Sequence, residues 1–556
     1  MSTATESDAA APGGAAWIAA LQRNLELREG AVSVVQTHIS WVLLTPQFAY
    51  KIKKPVHLSF LDFSTPARRK HFCEEELRLN ARLAPSLYLA VVPIRGTPQE
   101  PSLAGEGPVL DYTVKMRRFA PGSLLVERIA SGALQPAHLD RLAQRLAAFH
   151  QAAPAVGAGA RFGSPDTVMA AVEQVLDDAA RLAPALSFEP VRRWLREQAP
   201  LLAPHWIERQ AAGRVRECHG DLHLGNAVVL GEEVTAFDCI EFDPALRWID
   251  VLSDAGFLVM DLLAHGRRDL AFRFLNAYLE HSGDYAGASV LRFYMVYRAL
   301  VRALVGWMQP RQPSPDTAPP AAPDYLALAH TLTAPASPCL LITHGLPGSG
   351  KTFVSQCLLE AAGALRIRSD VERKRLFGLA PLEDSRTRSG GGIYGAAATQ
   401  RTYAHLLALA RASLAGGWPT IVDAAFLRRA EREQFRELAL ALGVPFTILD
   451  CRAGMDLLRD RVAARQARRD NASEADLAVL ETLLDQREPL DEGERALALA
   501  VDTAQPPQAA LLATDWLRRD APFRTDPPGP IAGRSQGSTP HRAPAAPPPP
   551  GAGPGT

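Results

Sequence analysis

Apolar positions recur along this chain in two rhythms, and the order of the rhythms divides it. Over 17–29 they fall at helical spacing. Over 31–37, 41–44 and 48–53 they follow strand-like patterns, with Thr45-Pro46-Gln47 as the turn before the third segment. Helical spacing returns from His71 to Leu83, where Leu77, Leu79 and Leu83 are the apolar points and Pro85 follows. Two more strands read at 89–94 and 112–116. Beyond Pro121-Gly122 the pattern is mainly helical, over 137–151, 166–182, 189–200 and 202–212. Short strands at 227–230 and 234–237 interrupt it before helices resume to about 309. A small mixed lobe followed by a helical lobe is expected.

The proline-rich stretch 310–324 cannot continue a helix and reads as a linker, with one short helix at 324–333. From 339 onward strand and helix alternate. Strands read at 339–343, 365–368, 419–423, 445–450 and 498–501. Helices read at 371–377, 396–416, 428–442, 455–466, 473–487 and 507–517. That alternation predicts a parallel α/β sheet. Residues 520–556 are rich in Pro, Gly and Ala with few large apolar side chains, so a disordered tail is expected. The chain thus reads as α/β multidomain: a bilobal unit over 17–335 with lobes at about 30–117 and 118–335, a parallel-sheet unit over 336–519, and the tail.

Composition narrows the function classes. The 556 residues are 47% hydrophobic and 22% charged with zero formal net charge, as in ordinary globular proteins. A generally basic nucleic-acid binder is not indicated. The six cysteines are scattered without a C-x-x-C pair, which points to neither a disulfide framework nor a thiolate zinc site and suits a reducing cytoplasm. The first residues lack the basic and apolar regions of a signal peptide, and no apolar run is long enough to span a bilayer. Lysine is scarce: Lys51, Lys53, Lys54, Lys70, Lys115, Lys351 and Lys374 stand among many arginines. A lysine kept in such a chain is a candidate for a task that needs a compact ammonium.

Two phosphate-handling signatures lie far apart. The first is His219-Gly220-Asp221-Leu222-His223-Leu224-Gly225-Asn226, with Asp238 after a short apolar segment. Phosphoryl transfer needs a carboxylate near the acceptor hydroxyl, metal ligands across the phosphates and a cation on them. Asp221 suits the first task. Asn226 and Asp238 offer the hard oxygens that Mg²⁺ prefers. His219 is expected to brace the loop, and His223 has no assigned task. Phe48-Ala49-Tyr50-Lys51 matches the V-A-I-K strand pattern, which sets Lys51 as the phosphate lysine with Lys53 as its rival on the same face. Among Glu74, Glu75 and Glu76, the last fits best as the lysine's partner, because Leu79 and Leu83 then face the core. The alternative for this acid cluster is a solvated first turn.

The second signature is Gly345-Leu346-Pro347-Gly348-Ser349-Gly350-Lys351-Thr352 between a strand and a helix, the context a P-loop requires. Its glycines, with Ser349, let the backbone approach phosphates, Lys351 bridges them, and Thr352 ligates Mg²⁺. Asp423 ends a strand and could hold the metal through water or contact substrate. Asp370 could orient an acceptor hydroxyl while Arg373 holds an anionic group; equally, Asp370 could cap the helix 371–377. Arg459, Arg461, Arg465, Arg468 and Arg469 form a basic helix and its exit. Arg461 and Arg465 share a face and read either as a phosphate lid or as a solvated surface.

The first set of residues resembles the aminoglycoside phosphotransferase family, a branch of the protein-kinase-like fold. The resemblance spans about 30–330 and is strong at 217–254. It implies ATP and Mg²⁺ as cofactors and takes Trp248-Ile249-Asp250 for the family's next helix, with Asp250 bracing the catalytic loop. No G-x-G-x-x-G covers the phosphates, which is a departure from the kinase pattern. The second half resembles the P-loop kinases that include polynucleotide, gluconate and shikimate kinases, often described only as an AAA-type ATP-binding domain. Fused in this order, the halves resemble a bacterial bifunctional aminoglycoside phosphotransferase/ATP-binding family. The expected function is a cytoplasmic, bifunctional ATP-dependent phosphotransferase acting on hydroxyl acceptors. A small molecule is expected for the first half, and a small molecule or a nucleic-acid 5′ end for the second, with no membrane partner. The alternative makes the kinase-like half a ligand-binding regulator and the P-loop half an ATPase switch.

Overall fold

The computed structural model describes residues 14–58, 61–308, 323–383, 393–468 and 472–519. The expected tail, most of the expected linker, Arg469 and the Arg468 side chain lie outside the described residues.

The first lobe is built on a six-stranded antiparallel sheet. Strand Phe48–Lys53 sits inside it, between Ser40–Leu44 and Val109–Arg117. Alternation decides its two faces. Tyr50 and Ile52 pack with Trp41 and Leu43 against Leu21 and Leu25 of helix Gly14–Glu29. Ala49 packs on the other side with Cys73 of helix Pro66–Asn80. That helix begins five residues before the expected start. Thr65 caps it by accepting the Arg68 N–H, and Pro66 occupies the first turn, where its missing N–H costs nothing. Apolar spacing misses this turn because Arg68, Arg69 and Lys70 carry it; buried Arg69 is held by Asp111 at 2.9 Å.

Two further differences lie in the helical lobe. Helix Glu189–Ala211 runs unbroken through Pro200 and Pro204, where a break near 201 was expected. An interior proline costs about 3 kcal/mol, and buried Leu195, Leu202 and Trp206 on its core face offset that. Trp248–Asp250 is not helical. It forms a short strand antiparallel to Val215–Glu217, and helix Val251–Ala264 starts only after it.

The C-terminal sheet has five parallel strands in the order Leu365–Arg368, Thr420–Asp423, Leu340–His344, Phe446–Arg452 and Ala498–Asp502. The P-loop leaves the central strand, so its phosphate end lies between neighbours on both sides. Helix Glu492–Ala496 was not anticipated. The halves share a core: one buried apolar cluster continues from Phe274 and Tyr285 to Leu340 and Ile367. Trp418 of the second half donates its indole N–H to Ala288 O of the first at 2.8 Å. Among the described residues no helix is long and apolar enough to cross a membrane.

Candidate functional site

In the kinase-like half the strand Phe48–Lys53 delivers both lysines to one carboxylate. Lys51 Nζ lies 2.9 Å from Glu76 Oε1, and Lys53 Nζ lies 2.7 Å from Glu76 Oε2. Each lysine has a second acid. Lys51 donates to Asp238, and Lys53 donates to Glu241. The two differ in access. The Lys53 side chain is 1% exposed, whereas the Asp238 carboxylate beside Lys51 is 41% exposed. Burial pushes the Glu76 carboxyl up, and the two ammonium groups outweigh it, holding it down to about 2. Burial raises Glu241, against the pull of Lys53 and with the push of Glu76. Sequence reasoning missed Glu241, whose only signal was its position three residues past Asp238.

The loop bearing Asp221 is fixed from beneath. Asn226 Nδ2 donates to Asp221 Oδ2 at 2.9 Å and to Asp221 O at 3.0 Å. His219 Nε2 meets Phe237 O at 2.9 Å, and its Nδ1 accepts the Asp221 N–H at 3.2 Å. Burial lowers the His219 imidazole, favouring its neutral form. His223 Nδ1 accepts the Gly225 N–H at 3.0 Å, and its Nε2 is 3.5 Å from Asp221 Oδ2. Burial raises the Asp221 carboxyl, but His223 and more distant Arg302 reverse the sign and hold it below the usual range.

Asp250 does not brace this loop. It caps helix Val251–Ala264 through the Leu252 N–H at 2.8 Å and pairs with Arg209 at 2.6 Å. The brace is Asp254, one turn later, where the helix face meets the loop. Its carboxylate accepts the His219 and Gly220 N–H groups, each at 2.9 Å, and His150 Nε2 at 3.0 Å. Asp261 repeats the pattern two turns on, accepting the Leu224 N–H at 2.9 Å. Arg298 donates to Gly220 O at 3.1 Å. These residues carried no sequence signal beyond helical spacing from Asp250.

In the other half, Gly345, Gly348 and Gly350 all have positive φ. A Cβ on Gly345 would fall 2.5 Å from Ser349 Oγ, and one on Gly348 would fall 2.7 Å from Leu458 O. Lys351 Nζ donates to Gly345 O and Leu346 O at 2.8 and 2.9 Å. Burial lowers its ammonium, against the pull of Asp423. Thr352 opens the helix with Lys351, and Ser355 Oγ lies 3.4 Å from Asp423 Oδ2.

The loop opens on a cleft of about 1550 Å³ that also exposes Asp370, Arg373, Asp423 and Arg465. Asp370 is not a helix cap. The helix is Ser369–Leu376, its cap position is Arg368, and Asp370 lies inside the first turn. Arg373 donates to Ile393 O at 2.8 Å and to Thr399 Oγ1 at 3.2 Å, and its guanidinium lies over Tyr394. Arg461 grips the loop from behind, donating to Thr503 O at 2.6 Å and Gly348 O at 3.3 Å. Arg465 donates to Ala475 O at 2.7 Å and faces the cleft. Arg459 turns away to Glu481.

Both sites fit a magnesium–triphosphate. The first offers the accessible Asp238 carboxylate and the side-chain oxygen of Asn226, whose nitrogen is engaged by Asp221. The second offers Thr352, Asp423 and the buried Ser349 Oγ, which has no hydrogen-bond partner. All are hard oxygens. The three glycines leave no room for side chains at the turns of the P-loop.

Comparison with known proteins agrees with this division. The model of the phosphotransferase enzyme family matches residues 59–294, and an AAA domain model matches 340–490. Uncharacterized protein Rv2004c of Mycobacterium tuberculosis is 31% identical over 484 residues, covering 86% of this chain and 93% of that protein. The chain belongs to the Rv2004c family. This chain thus joins a kinase-like phosphotransferase domain to a P-loop domain in one polypeptide. Among solved structures, a choline/ethanolamine kinase family protein from Mesorhizobium loti is 14% identical, with a TM-score of 0.33 over 56% of this chain and 90% of that one. A gluconokinase from Sinorhizobium meliloti is 21% identical, with a TM-score of 0.23 over 33% of this chain and 93% of that one.

Proposed function

We propose that this member of the family is a bifunctional ATP-dependent phosphotransferase, each half moving the γ-phosphoryl of ATP to a hydroxyl acceptor in the cytoplasm. The observation that carries the reading is the meeting of Lys51, Glu76 and Asp238, drawn from three distant segments, beside a loop in which Asn226 orients Asp221. A merely structural ion pair has no need of an accessible aspartate at its open end or of a braced carboxylate nearby.

Lys51 is the phosphate lysine, because Lys53 is enclosed by Glu76 and Glu241 and cannot reach a ligand. Asn226 and Asp238 would hold Mg²⁺ in this half; Thr352 and Asp423 would hold it in the other. When bound, the metal neutralises charge developing on the phosphates. Asp221 accepts the acceptor's proton as the new oxygen–phosphorus bond forms and the β–γ bridge bond breaks, so that ADP leaves with the bridging oxygen. In the P-loop half Lys351 and the loop N–H groups receive the phosphates. Asp370 orients the acceptor, Arg373 shapes its pocket, and Arg465 covers the transferring group from the cleft side, while Arg461 holds the loop that receives it. The first acceptor is a small molecule. The second is a small molecule or a nucleic-acid 5′ end.

The test is product formation by the full chain with ATP, Mg²⁺ and a panel of hydroxyl metabolites and 5′-hydroxyl oligonucleotides. Loss of one set of products in Asp221→Ala and of another in Lys351→Ala is expected. Products unchanged in both variants would refute the reading. Oligonucleotide phosphorylation lost in Asp370→Asn would select the nucleic-acid acceptor.

A further inference from the structure

Where the halves meet, helix Arg268–Ser282 lies along strand Leu365–Arg368, and one carboxylate of the kinase-like half crosses into the P-loop site. Glu280 Oε1 lies 2.8 Å from Arg366 Nη2, and its Oε2 lies 3.2 Å from Arg368 Nη1. Both arginines continue to the phosphate end of the sheet. Arg366 Nη1 donates to Thr352 O at 3.2 Å and to Ser355 Oγ at 3.3 Å. Arg368 is the register partner of Asp423, with its Nε 3.9 Å from Asp423 Oδ2.

The placement of Glu280 is enforced by its neighbours. Asn276, one turn earlier on the helix, donates to Ala364 O at 2.9 Å and accepts the Arg366 N–H at 2.6 Å. Tyr285 donates its hydroxyl to Arg366 O at 3.1 Å, and Arg375 donates to Glu280 O. The helix is therefore docked on the strand through backbone groups on both sides of the ion pairs, and Glu280 is held rather than draped.

Charge bookkeeping gives this contact a consequence. Positions 366 and 368 lie on one face of the strand, so two guanidinium groups stand side by side. Nearby acids include Glu280, from the other half, Asp423 and, for Arg368, Asp370. A guanidinium and Mg²⁺ compete for the same carboxylate oxygens. With Glu280 in place, Arg368 divides its attraction between Glu280 and the acids of the P-loop half, Asp423 among them. Without it, a larger share of that attraction falls on Asp423.

We propose that Glu280 is a positioning residue for the P-loop site, holding Arg366 and Arg368 so that Asp423 stays available to Mg²⁺. This rests on the reading of Asp423 as a metal ligand given above. It makes the P-loop site complete only when docked on the kinase-like half. Metal affinity in one half is then set by a carboxylate of the other.

The test uses the full chain in a Lys51→Ala background, so that a fluorescent ATP analogue reports the P-loop site. Binding is followed with and without Mg²⁺. Glu280→Gln is expected to raise the half-saturating Mg²⁺ about three- to tenfold. Metal-free analogue should bind as well as before or more tightly, because a negative charge near the phosphates is removed. Adding Arg368→Gln should return the Mg²⁺ requirement towards that of the parent. A structural defect has the opposite signature, weakening metal-free and metal-supported binding alike, and that result overturns the inference. So does an unmoved Mg²⁺ requirement in Glu280→Gln when Asp423→Asn raises it. If Asp423→Asn itself leaves the requirement unmoved, the metal-ligand reading falls first. Should Glu280→Gln fail to fold, Arg368→Gln alone decides: a lowered Mg²⁺ requirement supports the competition, and an unchanged or raised one contradicts it.

Discussion

The two lysines proposed to receive phosphate are held by opposite means. Lys51 is held by carboxylates, Glu76 from the neighbouring helix and Asp238 from the other lobe. Lys351 is held by Gly345 O and Leu346 O of its own loop. The first site is a balance of full charges assembled across tertiary distance, in which each ammonium is matched by an acid. The second takes its cradle from the backbone of eight consecutive residues, while Asp423, Arg461 and the outer wall come from other segments. Ionic assembly ties the first site to the stability of the fold around it. Local assembly leaves the fold around the second largely independent of its lysine's charge.

Several substitutions and a change of pH sharpen or break that contrast. The largest effect is expected for Asp221→Ala, which should slow transfer by the kinase-like half about 10²–10⁴-fold, the usual contribution of a positioned acid–base group. Nucleotide binding at either site should be unaltered, and an unslowed rate in a Lys351→Ala background would remove Asp221 from its role. Next is Lys351→Ala. It should weaken nucleotide at the P-loop on the order of a hundredfold, from charge-assisted bonds worth about 1.5–3 kcal/mol each, with no loss of thermal stability. Lys51→Ala should do both, because it leaves Glu76 and Asp238 short of a cation; Lys53 still serves Glu76, so about 3 kcal/mol of stability is expected to go. Equal stability loss in the two lysine variants, read by denaturant unfolding, would erase the contrast.

Smaller effects follow from the braces. Asp254→Asn removes the ionic acceptor of two backbone N–H groups and should cost about 1–3 kcal/mol. It should also slow transfer by the first half while sparing nucleotide binding at the P-loop. Smallest is the response to mild acid. The Glu76 carboxyl is held down from 4.5 to about 2, and Asp254 from 3.8 to about 2, where burial pushes up and His150 outweighs it. Groups depressed in the folded state contribute stability that is full above their ordinary values and is lost as pH falls through the folded values. Unfolding curves should therefore shift between about pH 4.5 and 2. Glu76→Gln should flatten that dependence, and an unchanged slope would deny Glu76 its part.

What the sequence disclosed follows the same division. The strand Phe48–Lys53, the P-loop and the end of Thr420–Asp423 were legible to the residue, because alternation, glycine spacing and strand length are local properties. The architecture was legible for the same reason, as a small mixed lobe, a helical lobe and a parallel sheet. Glu76 was reachable, since helical spacing ranked it above its neighbours. Asp254, Glu241 and Glu280 were not, because nothing near them in the chain distinguishes them. Their partners lie at His219, Lys53 and Arg366, and only packing brings them together. The helix through Pro200 and Pro204 shows the converse, where a strong local signal yields to the core. The early start at Pro66 shows a cap and a proline outweighing a polar first turn.

The measurement closest to the central claim is the stoichiometry of magnesium–nucleotide binding by calorimetric titration of the full chain. Two equivalents are expected, with Lys51→Ala and Lys351→Ala each removing one and the double variant removing both. A single equivalent in the unaltered chain, abolished entirely by one of those substitutions, would contradict two independent sites.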